Sequence, residues 1–381
     1  MDALMLPLNW QRVRLGDICK IFKGQQINKI SLNNTDKYPV INGGIDFLGY
    51  TNKFNVSKNT IAISEGGTCG YVRFMTSNFW SGGHNYSLQK ISNKVNNLCL
   101  YHILKSYEKD IMKLGVGSGL KNIQLKALKD FEILLPPLNE QIAIANILSA
   151  LDRYLCALDA LILKKEGVKK ALSFELLSQR KRLKGFNQAW QRVKVKDFGI
   201  IITGSTPLTQ ISEYWNGTIS WITPTDINDN KDIFNSERKI TQKGLNTIRM
   251  IPKNSVLVTC IASIGKNAIL RVNGACNQQI NAIIPNKDFN ADFIYYLMEN
   301  NKQYLLGKAG VTATYIISKQ VFEEIDFFVP KDLNEQNAIA NILSGLDNEI
   351  TSLKNKKRQF ENIKKALNHD LMSAKIRVLE K

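Results

Sequence analysis

The chain of 381 residues is poor in several things that commonly carry chemistry. It has three histidines, and none lies in an HExxH pattern. Its six cysteines (Cys19, Cys69, Cys99, Cys156, Cys260, Cys276) form no CxxC pair, which argues against a disulfide framework and against a cysteine zinc site. No apolar run approaches the 18 or more residues of a membrane span. The segment Met1 to Trp10 lacks the basic start and apolar core of a signal peptide, so a cytoplasmic location is expected. No GxGxxG opens a βα unit. The nearest approach to a phosphate loop, Cys260-Ile-Ala-Ser-Ile-Gly265-Lys266-Asn267, lacks the first glycine and the final hydroxyl residue. Leu135-Pro136-Pro137-Leu138 lacks the polar residue before, and the aromatic residue after, the proline pair of an amino-methylating site. No acidic motif resembles a nuclease metal site, so neither a catalytic nor a metal-ligating set is expected. A stand-alone nuclease or methyltransferase is disfavoured.

What is abundant is positive charge. Lys plus Arg is 51 against 33 Asp plus Glu, a formal net charge of +18. A field of that size favours polyanionic partners, nucleic acid above all. The alternative is a solubility surface on a non-enzymatic coiled-coil scaffold, with the basic charge incidental.

An internal repeat organises the chain. Trp10-Gln-Arg-Val-Arg-Leu-Gly-Asp17 recurs as Trp190-Gln-Arg-Val-Lys-Val-Lys-Asp197. Asn139-Glu-Gln-Ile-Ala-Ile-Ala-Asn-Ile-Leu-Ser-Ala-Leu-Asp152 recurs as Asn334-Glu-Gln-Asn-Ala-Ile-Ala-Asn-Ile-Leu-Ser-Gly-Leu-Asp347, identical at twelve of fourteen positions. Each copy has a variable zone (1–137 and 186–332) and a strongly similar zone (138–185 and 333–381). The variable zones would see different things, and the similar zones the same thing or each other. Residues 1–138 carry 17 basic and 9 acidic groups, and 186–333 carry 16 and 13, so both globular zones are positive.

The similar zones read as long helices. Pro136-Pro137 and Pro330 mark their entrances, since proline is excluded from helix interiors. Apolar residues at Ile142, Leu148, Leu151, Leu155 and Leu158, and at Ile339, Ile342, Leu346, Ile350 and Leu353, fall on one stripe in steps of 3 and 4. About 45 residues make a rod of roughly 65–70 Å. Such a rod needs a partner, and pairing of the two stripes is expected over packing on each rod's own globular zone. The variable zones alternate short strand-like runs (Thr60 to Ser64, Val256 to Thr259, Phe131 to Leu135, Ile325 to Val329) with polar turns and helical stretches (Leu98 to Leu114, Ala291 to Leu306). The fold class is α+β, with two mixed α/β domains, two long helices and a pseudo-twofold repeat.

These features together resemble the specificity (S) subunit of type I restriction–modification systems, the HsdS family. The strings that carry the likeness are Leu135-Pro-Pro-Leu-Asn-Glu140-Gln141-Ile-Ala-Ile-Ala and Val329-Pro-Lys-Asp-Leu-Asn-Glu335-Gln336-Asn-Ala-Ile-Ala, then Thr203-Gly-Ser-Thr-Pro207 with Tyr214-Trp-Asn-Gly-Thr-Ile-Ser-Trp-Ile-Thr-Pro-Thr-Asp226, and Tyr38-Pro-Val-Ile-Asn-Gly-Gly44. The resemblance covers nearly the whole chain. It implies target-recognition domains at 1–137 and 186–332, a central helix at 138–185 and a C-terminal helix at 333–381. The helices would run antiparallel, with the domains at opposite ends of the rod, each reading a short half-site of an asymmetric target in double-stranded DNA. Two modification (methyltransferase) subunits would dock on the repeated helices. They would bring S-adenosylmethionine and methylate adenine N6, and an ATP- and magnesium-dependent restriction subunit would join to cleave. The chain itself would bind no cofactor and touch no membrane. Glycine-bounded polar loops are the candidates for DNA contact: Gln25, Gln26, Asn42, Ser64, Thr68, Arg73, Ser118, Lys121 and Asn122 in the first domain, and Ser205, Thr206, Thr225, Ser263, Lys266, Gln278, Gln279, Thr312 and Thr314 in the second. Glu140-Gln141 and Glu335-Gln336 are expected to cap their helices.

Overall fold

A computed structural model of the chain describes residues 9–228, 230–311 and 315–378. It is an α+β protein that divides into two compact units, Met1–Ala160 with Asn355–Lys381, and Leu161–Lys354. No helix among the described residues is long and apolar enough to cross a membrane.

Unit 1 contains β1 (Gln11–Arg14), β2 (Lys20–Lys23), β3 (Tyr38–Ile41), β4 (Gly49–Thr51), β5 (Thr60–Ser64), β6 (Val72–Met75), β7 (Trp80–Ser81), β8 (Asn85–Gln89) and β9 (Glu132–Leu135). Four of these form an antiparallel sheet in the order β2-β8-β5-β6. The run Thr60-Ile-Ala-Ile-Ser is buried at every position, as a central strand of β-branched residues should be. A second sheet has the order β4-β3-β7, with β3 and β7 parallel, Val40 opposite Trp80. β1 pairs with β9. The helix Asn97–Ser106 starts at Asn96, whose side chain accepts from the Cys99 N–H, an arrangement that satisfies one orphan donor of the first turn.

Unit 2 repeats this plan with β10 (Trp190–Lys194), β11 (Gly199–Thr203), β12 (Trp215–Ile222), β13 (Asp232–Ile233), β14 (Lys239–Ile240), β15 (Ser255–Thr259), β16 (Asn267–Leu270), β17 (Gly274–Cys276), β18 (Ile280–Pro285) and β19 (Asp326–Pro330). The orders are β11-β18-β15-β16-β13 and β14-β12-β17, with β12 and β17 parallel, Trp221 opposite Ala275. Asn290 caps the helix Ala291–Asn300 as Asn96 does in unit 1. β14 lies beside β12 as β4 lies beside β3, whereas β13, the outer strand of the larger sheet, has no counterpart among the described residues of the first unit. The helical stretches expected at Leu98 to Leu114 and Ala291 to Leu306 are each broken in two, at Tyr107 and at Asn301.

The two long helices are Leu138–Leu177 and Leu333–Met372. The first begins directly after Pro136-Pro137. It is left through Gln179 at φ 61, a left-handed residue that a helix cannot contain. In unit 1 the helices pair through Asp152–Lys364, Asp159–Lys357 at 2.6 Å, and the rings of Tyr154 and Phe360 at 4.7 Å. In unit 2 they pair through Lys165–Glu349 at 2.7 Å, Glu166–Lys354 at 2.6 Å, and Lys169–Asp347. In unit 1 the numbers rise on one helix as they fall on the other, and in unit 2 Glu166–Lys354 and Lys169–Asp347 follow the same sense, so the pairing is antiparallel.

The expected stripe is used for two purposes rather than one. Leu158 and Ile350 are buried, and Leu151, Leu155, Leu346 and Leu353 are half-buried. Leu148 instead joins the globular core of unit 1, and Ile339 that of unit 2. Ile142 (44% exposed) and Ile342 (37%) leave the seam altogether. The first turns sit on their own globular unit, so the face turned inward there is that of Ile144 and Ala145, or of Ala340 and Leu343.

The first turns also place Glu140, Gln141, Glu335 and Gln336 in the interior. In unit 2 Glu335, 1% exposed, takes Arg182 at 2.8 and 3.2 Å and the Trp190 Nε1–H at 3.2 Å. In unit 1 Glu140 takes Arg377 at 2.7 and 2.9 Å and the Trp10 Nε1–H at 3.2 Å. Gln141 accepts from the Asn96 N–H (2.7 Å) and donates to the carbonyls of Pro136 and Lys94. Gln336 does the same with Asn290, Pro330 and Asp288. These side chains therefore do not cap their own helices. They bind an arginine, a tryptophan and the loop that precedes the neighbouring helix.

A buried carboxylate without its cation carries an uncompensated desolvation cost. Arg182→Met should lower stability by roughly 3–5 kcal/mol, and Arg182→Met combined with Glu335→Leu by less than the single change. Urea unfolding of the two variants checks this. His102 supplies a pH test. Burial pulls its pKa down to about 4, outweighing the upward pull of Asp152 at 4.0 Å, with Lys364 adding to the fall. A neutral ring in the folded state stabilises fully above about pH 6.5, and that contribution is lost as pH falls from there towards 4. Between pH 7 and 4.5 the wild type should lose about 2 kcal/mol more than His102→Gln. Equal losses in parallel denaturant titrations would disprove it.

Candidate nucleic-acid interface

In unit 1 the ends of β2, β3, β5 and β8 and the hairpin Gly115–Ile123 deliver polar side chains to one glycine-lined place. Gly43 has φ 84, and a Cβ there would lie 2.6 Å from the Gly66 carbonyl, so the two loops touch only because neither carries a side chain. The Gly66 Cα faces Asn122, whose Oδ1 would lie 2.3 Å from a Cβ added there. Thr68 N–H donates to the Gly43 carbonyl at 2.8 Å, and Gln26 packs on Gly83. Asn42 is committed to the fold, its Oδ1 accepting from the His84 N–H at 3.0 Å. Gln25 is exposed, with its carbonyl accepting from the Trp80 Nε1–H at 2.9 Å. Ser118 and Lys121 are exposed on the hairpin. Ser64 does not belong to this surface. It is 3% exposed at the end of β5, sealed by the strands on either side. Arg73 is half-buried between the rings of Phe47 and Tyr71, at 5.0 and 5.4 Å.

Sequence reasoning missed the residue at the centre. Glu65 follows β5 and is buried. Its Oε1 accepts from Lys23 Nζ at 2.7 Å and from the Tyr86 hydroxyl at 3.2 Å. Among the described residues its Oε2 has no hydrogen-bond partner, and it lies 3.9 Å from His84 Nδ1. Burial and the adjacent Glu65 charge push the Tyr86 hydroxyl up to about 12, so it remains a donor. The available signal was an acid ending an apolar strand, immediately before two glycines.

Unit 2 builds the same frame from other side chains. The Cys260 N–H donates to the Gln279 carbonyl, as the Glu65 N–H does to that of His84, both at 2.8 Å. The Ile317 N–H donates to the Cys260 carbonyl, as the Ile123 N–H does to that of Glu65, both at 2.9 Å. Where unit 1 has Lys23, Glu65, Tyr86 and His84, unit 2 therefore has Thr203, Cys260, Asn281 and Gln279. Thr203 donates to Asn281 Oδ1 at 2.7 Å, and Asn281 Nδ2 lies 3.2 Å from Cys260 Sγ. The ionic cradle becomes a neutral one.

Around it, exposed Thr206 donates to Gln278 at 2.7 Å, Ser205 accepts from the Trp221 Nε1–H, and Gln279 accepts from Asn277 at 2.9 Å. Thr225 is exposed and shares a hydrogen bond with Thr223. Lys266 is exposed, and Ser263 is half-buried in a turn whose carbonyl accepts from Thr259. Thr312 and Thr314 lie outside the described residues.

Polar clefts are thus built twice on one frame, each tied to a near-identical helix entrance. The sequence model of the type I restriction modification DNA specificity domain matches residues 7–165 and again 187–362. The chain belongs to this family. The MjaIX specificity subunit of Methanocaldococcus jannaschii is 36% identical over 182 residues, covering 46% of this chain and 41% of that protein. The chain thus spans about two fifths of the length of the curated relatives it matches at 36–38% identity. The MjaVIII specificity subunit of the same organism is 25% identical over 414 residues, covering 99% and 95%. The crystal structure of a type I restriction–modification S subunit from M. genitalium has a similar fold, with TM-score 0.71 at 22% identity over 96% of this chain and 98% of that one.

The tightest backbone approach in the second cleft is at Gly204, where an added Cβ would lie 2.1 Å from the Asn277 carbonyl. Gly204→Ala should therefore cost about 2–4 kcal/mol, in the range of overpacked or strained sites. A melting curve no different from wild type would contradict this geometry.

Proposed function

We propose that this chain is the sequence-reading subunit of a type I restriction–modification complex, with one DNA half-site taken by each glycine-lined cleft. The observation that carries the reading is the contrast between frame and filling. The strand frame and the Glu-Gln helix entrances are the same in both units, while Lys23, Glu65, Tyr86 and His84 give way to Thr203, Cys260, Asn281 and Gln279. A single frame with two chemistries suits a bipartite, asymmetric target, because sequence is read by the donors and acceptors presented to base edges. The net charge of +18 supplies the attraction to phosphates.

The repeated helices suit two like partners, the methyltransferase subunits. These would bring S-adenosylmethionine and methylate adenine N6 in the cytoplasm, and a restriction subunit would bring ATP and magnesium. The chain would contribute recognition and no catalytic group or cofactor of its own.

Copurification with a modification subunit should give adenine methylation at a split target. Exchanging residues 1–137 for those of another family member should change one half-site and leave the other intact. A change in both, or in neither, refutes modular reading. Binding should also weaken steeply with salt, as phosphate contacts require.

A further inference from the structure

In unit 2, β12 carries two indoles packed edge to face, Trp215 and Trp221, with centroids 5.1 Å apart at 88°. Both ring N–H groups are committed to the loop after Gly204. Trp221 Nε1 donates to the Ser205 carbonyl at 3.0 Å, and Trp215 Nε1 to the Leu208 carbonyl at 3.2 Å. The guanidinium of Arg238 lies against both rings, 4.1 Å from the centroid of Trp215 and 4.9 Å from that of Trp221. The Arg238 backbone is fixed as well, its carbonyl accepting from the Trp221 N–H at 3.2 Å and from the Ser236 hydroxyl at 2.6 Å.

Arg238 is exposed, and among the described residues its guanidinium has no hydrogen-bond acceptor and no carboxylate partner. Asp226, which is tied to the backbone just before Arg238, accepts from the N–H groups of Thr223 and Glu237. Most other arginines of the fold with a described role are bound to acids: Arg182 to Glu335, Arg192 to Asp326, Arg271 to Asp232 and Asp292, Arg377 to Glu140. Arg73 is stacked too, but its Nη1 is sealed from solvent, so it does not offer a complete fork.

A planar cation held on aromatic faces beside a polar loop has lost most of its rotamer freedom before any ligand arrives. A phosphate, which accepts from many directions, needs no such orientation. A base edge does, and the partner that fits two parallel N–H donors is guanine, with O6 and N7 side by side in the major groove. We propose that Arg238 is a specificity-determining residue that donates both N–H groups of its fork to O6 and N7 of one guanine in the half-site taken by unit 2. This rests on the DNA-reading function proposed above.

The test uses the full chain assembled with its methyltransferase subunits, binding duplexes in which each target position is varied in turn. Wild type, Arg238→Lys and Arg238→Gln are compared. Arg238→Gln should lose roughly tenfold or more of the discrimination for guanine at one position of one half-site, and Arg238→Lys less, with the other half-site unchanged. An intact second half-site also reports that the variant complex is folded. Retained discrimination in Arg238→Gln overturns the proposal. So does uniform weakening on all sequences with a salt slope smaller by about one, the mark of a phosphate contact. A wild-type target without guanine overturns it equally. A wild-type complex with no sequence preference at any position would instead bring down the recognition function itself.

Discussion

One buried carboxylate organises each half of this molecule. Glu140 and Glu335 are nearly inaccessible to solvent, and each is neutralised by one arginine fork and one indole N–H. Burial makes the arrangement obligatory, since a carboxylate taken out of water is tolerable only with its charge and lone pairs satisfied. The residues that satisfy it come from far along the chain: the start of the unit, through Trp10 just before β1 or Trp190 in β10, and the segment that follows a long helix, through Arg377 or Arg182. Gln141 and Gln336, one position on, secure the loop before the next helix. A short Glu-Gln string thus joins strand, helix entrance and helix exit in both units.

On that fixed base the clefts are free to diverge. The backbone hydrogen bonds around Glu65 recur around Cys260 almost distance for distance, so the frame does not depend on what the side chains are. Lys23 and Glu65 place an ion pair beneath the first cleft, whereas Thr203, Cys260 and Asn281 place a neutral chain of hydrogen bonds beneath the second. Side chains that bear no load in the scaffold can change what a cleft recognises without changing how it folds.

Much of the architecture was legible in the sequence, because the signals were long or repeated. The duplication, the two helices with their proline entrances, and the buried strands Thr60–Ser64 and Ser255–Thr259 all have patterns that one physical cause explains. The seam was less legible. A stripe with steps of 3 and 4 says that a face is buried but not against what, and Leu148 and Ile339 turned to their globular cores while Ile142 and Ile342 turned to solvent. At the clefts, glycine-bounded loops pointed to Gln26, Thr68, Asn122, Thr206 and Gln278, which do gather there. The same rule swept in Ser64, because local sequence does not reveal that a strand end is covered on both faces. It passed over Glu65 and Arg238, whose surroundings are assembled from segments far apart in the chain.

The separation of 237 positions between Glu140 and Arg377 also bears on how the molecule is made. Ribosomal synthesis releases Trp10 and Glu140 long before their cation exists, whereas Arg182 is already waiting when Glu335 emerges. The second-encoded unit can therefore complete its ion pair first, while the first-encoded one lacks the cation for Glu140 until translation passes the second long helix. A message cut short inside that helix would leave Glu140 without Arg377, even though every residue of the first cleft had been made.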